Sequence, residues 1–164
     1  MRKKLLIIVG ILALSIATMG TAYAANYVLG YSAVDGDEIR WGGSTTYSTQ
    51  WNSGVSTWNA LDPITIAADT ASTYEDLTIS DTSKSSVTWA GQYSNSSGAD
   101  TIKFNSYYMS GYTSSKKQNV TTHELGHALG LAHSTSSNIM YTYVATRTSL
   151  GTQDKADYHY LWGY

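Results

Sequence analysis

Short apolar runs alternate with longer amphipathic segments along the chain, and this order predicts strands and helices mixed around one sheet. One helix is indicated by Trp51, Val55 and Trp58, whose spacing places them on one helical face. The predicted strands cover residues 39–41, 64–67, 77–79, 86–93 and 102–105, and the predicted helices cover residues 48–61, 116–131 and 154–162.

Residues 86–93 form the longest predicted strand, and a polar loop follows at residues 94–98. In an extended strand Val87, Trp89 and Gly91 lie on one face, and the residues between them lie on the other. For an aromatic residue such as Trp89, packing within the sheet is the favoured alternative to contact with a ligand.

The first 24 residues have the pattern of a secretory signal peptide. Basic residues at 2–4 precede an apolar run over residues 5–19, and Ala-Tyr-Ala follows at residues 22–24. An uncleaved membrane anchor is less favoured, because the apolar run is short for a bilayer span. We therefore expect a mature chain of residues 25–164 that is secreted and extracellular.

Composition narrows the class of protein further. The 164 residues are 42% apolar and 13% charged, and they include no cysteine, which excludes disulfides and thiolate chemistry. Loss of the three basic leader residues leaves seven basic and twelve acidic residues, a net charge of −5. This charge disfavours nucleic acid and anionic membrane surfaces as partners. With no repeat and no linker, we expect one domain and a monomer.

One short segment carries the spacing of a metal site, HExxHxxGxxH. His123 and His127 are four residues apart, so both imidazoles lie on one face of a helix. Gly130 permits the turn that brings His133 back as a third ligand. Three imidazoles suit a single Zn²⁺ and leave its fourth position open, which is typical of catalytic zinc.

Another interpretation of this segment remains open. A structural zinc would serve an exported, zinc-stabilised binding or adhesion module without catalysis, although structural sites usually close their fourth position with a protein ligand. Glu124 lies beside the first ligand, where hydrolysis requires a general base, and it favours an enzyme. His159, the remaining histidine, is interpreted as a surface residue of the last helix.

The motif, together with Asn-Ile-Met-Tyr at residues 138–141, resembles the metzincin metallopeptidases and their matrixin-like branch. The resemblance implies an α/β (α+β) domain that has a twisted mixed sheet, an active-site helix, a Met-turn and a C-terminal helix. It also implies that Met140 is the Met-turn methionine, an apolar floor beneath the metal. Thr142 occupies the position where some metzincins carry a tyrosine ligand, which favours the matrixin-like branch.

Similarity to that family extends over residues 84–163, and residues 39–83 are compatible with it. No cysteine is available for thiol-based latency, so we expect activity on secretion without removal of a prodomain. Asp100 stands alone where vertebrate relatives cluster ligands for a structural zinc and calcium, so we expect one zinc. Asp35, Asp37 and Glu38 offer oxygen ligands for Ca²⁺, but an acidic turn around Gly36 is the favoured interpretation.

These features together predict a secreted zinc-dependent endopeptidase acting on peptides or proteins. Zinc-bound water attacks the peptide bond, and Glu124 is the general base. An extended peptide pairs with the edge strand near Val87, Trp89 and Tyr93. Tyr143 is expected to line the side-chain pocket beyond the metal.

Overall fold

A computed structural model describes residues 25–163 of the chain, so the predicted signal peptide lies outside the described residues. The described part forms five strands and four helices. In chain order they are β1 (Glu38–Gly43), α1 (Ser48–Asn59), β2 (Thr65–Ala68), β3 (Leu77–Thr82), β4 (Gly91–Ser94), β5 (Asp100–Asn105), α2 (Ser106–Met109), α3 (Ser114–Ala128) and α4 (Thr152–Trp162).

The five strands form one mixed sheet in the order β2-β1-β3-β5-β4. The first four strands of that order are parallel, whereas β4 runs antiparallel to β5 and lies at the edge of the sheet. The predicted single α+β domain is therefore confirmed. Within residues 25–163, no helix combines the length and apolar character needed to cross a bilayer.

Helix α1 packs against α3 through the face predicted from the tryptophan spacing. Trp51 and Trp58 are fully buried, and Trp58 Nε1 donates to the Thr122 carbonyl at 2.9 Å. A Cβ atom at Gly54 would lie 3.0 Å from Thr122 Oγ1, so this glycine permits the close approach of the two helices. The contact fixes α3, which carries the metal motif, against the core.

The strand predicted at residues 86–93 is wrong in its first half, because β4 begins only at Gly91. Side chains from distant elements bond the backbone that precedes it. The Asn105 amide donates to the Lys84 and Trp89 carbonyls, and the Tyr108 hydroxyl donates to the Val87 carbonyl. These bonds satisfy backbone carbonyls that a longer strand would have used in a ladder. The same asparagine caps α2, a short helix that the sequence pattern did not predict.

The first described residues pack along the end of the metal motif. Val28 forms an isolated bridge with Leu131, and the Ala132 N–H donates to the Tyr27 carbonyl at 2.9 Å. The Tyr27 N–H in turn donates to Asp157 of α4 at 3.0 Å. The extended segment that includes Tyr27 and Val28 thus supports the chain between the end of α3 and His133.

Candidate metal centre and cavity

The three histidines of the motif converge as the sequence predicts. His123 and His127 lie on α3, and the helix ends at Ala128. Gly130 has φ of +91°, which turns the chain so that His133 returns toward the helix. One ring nitrogen from each histidine lies within 4.8 Å of the other two, and exposure increases from His123 to His133.

Backbone carbonyls orient the first two imidazoles. His123 Nδ1 donates to the Ile139 carbonyl and His127 Nδ1 to the Leu131 carbonyl, each at 2.8 Å. Since Nδ1 carries the proton, the Nε2 lone pair of each ring is available to a metal. Burial lowers the pKa of His123 to about 3 and that of His127 to about 4, so both rings are neutral at neutral pH.

This donor set fits Zn²⁺. Zinc–nitrogen bonds of about 2.0–2.1 Å in a tetrahedron place two ligand nitrogens roughly 3.3 Å apart. The Nε2 atoms of His127 and His133 are 3.2 Å apart. Three neutral imidazoles with no protein oxygen among them suit zinc and not calcium or magnesium.

A turn after His133 supports the first ligand. Asp154 of α4 is fully buried, and its carboxylate accepts the N–H groups of Ile139 and Met140 at 2.6 and 3.0 Å. The Ile139 carbonyl therefore has a fixed direction toward His123. Met140 is also fully buried, and a Cβ atom at Gly126 would lie 2.3 Å from its sulfur, so Met140 packs on the helix backbone beside His127.

Glu124 lies between α3 and β4. Its side chain is 6% exposed, and burial raises the pKa of Glu124 to about 8, although the Tyr93 N–H acts against the shift by donating to the carboxylate. Gly91 leaves the room for this side chain, because a Cβ there would lie 2.6 Å from both Cγ and Oε1 of Glu124. With no cation beside it, burial therefore favours the protonated form of this carboxyl group at neutral pH, whereas a bound cation would favour the carboxylate.

A cavity of about 390 Å³ opens over these groups. Trp89, Tyr93 and Tyr143 line it, so the structure brings three of the four predicted substrate residues to the cavity. Val87 is not among the lining residues, and its carbonyl is bonded to Tyr108. The full lining comprises residues 88–93, Asn119, Val120, His123, Glu124, His127, His133 and residues 141–144.

Tyr93 links the edge strand to the metal motif by its own packing. Its ring stacks with His127 at a centroid distance of 6.5 Å and with Tyr31 at 6.3 Å. Its hydroxyl donates to Asp100, which is 3% exposed and also accepts from the Ser96 N–H at 2.8 Å. Asp100, which the sequence left without partners, therefore closes the loop between β4 and β5.

We predict that Tyr93→Phe lowers the free energy of unfolding by about 1.5–3 kcal/mol, the usual cost of a lost hydrogen bond to a carboxylate. Urea denaturation measures the change. Tyr74→Phe is the matched control, because Tyr74 is 92% exposed and its hydroxyl should contribute within about 0.5 kcal/mol. Equal midpoints for the two variants would show that the Tyr93–Asp100 bond contributes nothing.

The remaining predicted positions lie away from the centre. Asp35 and Glu38 bond to each other's backbone at 3.0 and 3.2 Å across Gly36, whose φ is +62°, as expected for a turn. His159 lies on α4, where its ring contacts Tyr158. Within residues 25–163 it does not join the three-histidine group.

Sequence reasoning missed three residues that position the site. These residues are Asp154, Gly91 and Asn119. Each acts through contacts with residues distant in the chain. The local signal for Asn119 was its position four residues before His123, on the same face of the predicted helix.

Two histidines on a helix and a third after the following turn form a site that fits zinc, and together with the buried glutamate and the α+β domain they define the class of zinc metallopeptidases. The comparison with protein families agrees with this class. The family model described as Peptidase_M10, matrixin, matches residues 18–163, and the chain therefore belongs to the matrixin family. No curated protein matches the chain.

Proposed function

We propose that this matrixin-family protein is a secreted endopeptidase in which His123, His127 and His133 hold one catalytic zinc and Glu124 is the general base. The observation that carries the proposal is the buried Glu124 carboxyl beside three converging histidines in an open cavity. A purely structural zinc site has no use for such a carboxyl group.

Bound zinc supplies a Lewis acid that polarises a peptide carbonyl and acidifies water. Glu124 accepts a proton from the attacking water at its carboxylate and passes it to the amine that departs, as the C–N bond breaks. The Tyr93 N–H orients the carboxylate, and Gly91 gives it room. No residue of the chain needs to form a covalent bond with the peptide.

The outer side of β4 is the proposed place for the substrate backbone. Because β4 ends the sheet that residues 25–163 form, no strand of this part of the chain pairs with its outer side, and an extended peptide can add there through main-chain hydrogen bonds. Trp89 and Tyr143 line the cavity over which such a peptide would pass. The signal-peptide pattern supports export, with the mature chain beginning at Ala25.

A second candidate is an exported binding module that zinc stabilises. Its support is the set of exposed tyrosines, with Tyr74, Tyr143 and Tyr160 at 92%, 70% and 63% exposure. Tyrosine is a common contact residue on binding surfaces. The buried general base favours the peptidase over this module.

Expression of the full chain, followed by collection of the exported protein, tests the proposal. Three quantities are measured on one sample: the N-terminal residue, zinc per chain, and cleavage of a mixed peptide library with and without a chelator. We expect Ala25, one zinc, and cleavage that the chelator stops. One firmly held zinc with no cleavage across the library would favour the binding module.

We predict that Gly91→Ala lowers the rate of peptide hydrolysis by about 100-fold, because a displacement of a catalytic group by about 1 Å has an effect of this size. The new Cβ would lie 2.6 Å from Glu124 and 2.8 Å from Val120 Cγ1, so the carboxylate must move. Zinc should stay bound, since neither atom belongs to a histidine.

Gly98→Ala is the matched control for this variant. A Cβ at Gly98 meets nothing within 4 Å, and the residue lies in the exposed loop after β4. Steady-state kinetics with one peptide substrate compares the two. Wild-type rates for Gly91→Ala would mean that the base does not depend on this clearance.

A further inference from the structure

The segment after the Met140 turn forms one wall of the cavity, and we call residues 142–150 the pocket loop. It contains no helix or strand, and its first three residues, Thr142 to Val144, line the cavity. Tyr143 is 70% exposed and Val144 39% exposed. Little packing therefore holds the tip of the pocket loop in place.

Asn119 bonds this loop to the active-site helix. It is 3% exposed and lies one helical turn before His123. Its Nδ2 donates to the Arg147 carbonyl at 2.9 Å, and its Oδ1 accepts from the Ala145 N–H at 2.9 Å. Among the described residues 25–163, these are the two hydrogen bonds that reach the pocket loop.

The pair of bonds has the form of a short ladder. One side-chain amide satisfies a backbone carbonyl and a backbone N–H that lie two residues apart, as a neighbouring strand would. Asn119 also lines the cavity. Because both ends of its side-chain amide bond the pocket loop, Asn119 fixes the position of this cavity wall. The same bonds leave fewer of its polar groups available to a ligand. The far end of the loop is held separately by Leu150, which packs against the core.

We propose that Asn119 is a positioning residue that fixes the pocket loop and thereby determines which substrate side chain the cavity accepts. The part of this inference that concerns substrate selectivity rests on the proposed peptidase function. The part that concerns the fixed position of the loop does not depend on that function. A loop held at two points presents a cavity of defined width, whereas a released loop admits side chains of different sizes with similar ease.

The test uses the Asn119→Leu variant, expressed as the full chain and purified after export in the same way as the wild-type protein. Leucine branches at Cγ as asparagine does but has no hydrogen-bonding group, so the variant removes both bonds without widening the cavity by truncation. Asn119→Ala is the second variant, which also removes both bonds and adds no atoms that could clash. If the leucine variant fails to fold, exchange at Ala145 is measured in the alanine variant, whose selectivity is not compared because truncation widens the cavity.

Asn59→Leu is the matched control. Asn59 makes the same pair of bonds to a backbone, with its Nδ2 donating to the Ile66 carbonyl at 2.9 Å and its Oδ1 accepting from the Ile66 N–H at 2.8 Å. It joins α1 to β2, away from the cavity lining. Any loss of stability common to both variants is thereby separated from an effect on the pocket loop.

Two readouts are needed. Amide hydrogen exchange at Ala145 in the zinc-free protein should accelerate by about tenfold or more in Asn119→Leu and stay at the wild-type rate in Asn59→Leu. With peptides that differ only in the side chain entering the cavity, the ratio of kcat/KM between the best and the worst peptide should fall by about tenfold. The change should appear in KM more than in kcat, since Asn119 bonds the loop and not Glu124.

The outcomes separate this inference from the proposed function. If the wild-type protein cleaves no peptide, the proposed function fails, and the exchange at Ala145 still decides whether Asn119 fixes the loop. Unchanged exchange in both Asn119 variants overturns the inference. Faster exchange with unchanged selectivity in an active enzyme overturns its claim on specificity.

Discussion

Glu124→Gln is expected to lower peptide hydrolysis by about 10²–10⁴-fold, the usual contribution of a general base. Glutamine has nearly the same shape, so it fits the space beneath Gly91, but its amide cannot accept the proton that the carboxylate takes. Because the substitution leaves the three histidines in place, zinc should remain at one per chain. Measurement of kcat/KM and zinc content on the same sample checks both statements.

The control for this variant is Glu38→Gln. Glu38 lies on β1, where its carboxylate accepts from Arg40 Nε at 2.8 Å, and it is absent from the cavity lining. This variant removes one negative charge from the chain without touching the proposed base. Near wild-type turnover of a zinc-loaded Glu124→Gln protein would remove Glu124 from the mechanism.

His127→Ala is expected to weaken zinc binding by more than about 100-fold, because loss of a residue that only supports a ligand already costs 10–100-fold. Two histidines of the motif then remain, because the variant lacks the imidazole that the Leu131 carbonyl orients toward the metal centre. Hydrolysis should be lost with the metal. Zinc per chain is measured after dialysis against metal-free buffer, together with the shift in melting temperature on adding zinc.

His159→Ala provides the comparison for His127→Ala. His159 is the only histidine of the four outside the motif, and it lies on α4. The variant should keep one zinc per chain and the zinc-dependent rise in melting temperature. Retention of one tightly bound zinc by His127→Ala would contradict the assignment of that residue as a ligand.

Local spacing was enough to predict those parts of the fold that depend on neighbouring residues. The helix at residues 48–61 was visible because Trp51 and Trp58 repeat on one face, and both prove to be buried. The strand at residues 86–93 was placed too early because its first half is held by Asn105 and Tyr108. These contacts join residues 16 and 21 positions apart, which no periodicity reports.

The metal centre also has a part that the sequence predicts and a part that depends on tertiary packing. His123, His127 and His133 were predictable because a helix and one glycine turn fix their relation within eleven residues of sequence. The groups that shape the surroundings of these histidines come from elsewhere in the chain. Asp154 bonds the turn that orients His123, 15 positions earlier, and Asn119 bonds Ala145 of the pocket loop across 26 positions. Such buried polar pairs follow from the tertiary packing, and a single sequence does not reveal them.

The bonds from Asp154 to the turn at Ile139 and Met140 also bear on how the protein opens. The Asp154 carboxylate belongs to α4, and the turn that it bonds orients His123 through the Ile139 carbonyl. An opening of α4 would therefore release His123, the least exposed of the three proposed ligands. We therefore expect the last helix and the metal centre to behave as one cooperative unit in hydrogen exchange, with a shared opening free energy. The rate of metal release would then follow the rate at which α4 opens, and the exposure of His133 alone would not determine that rate.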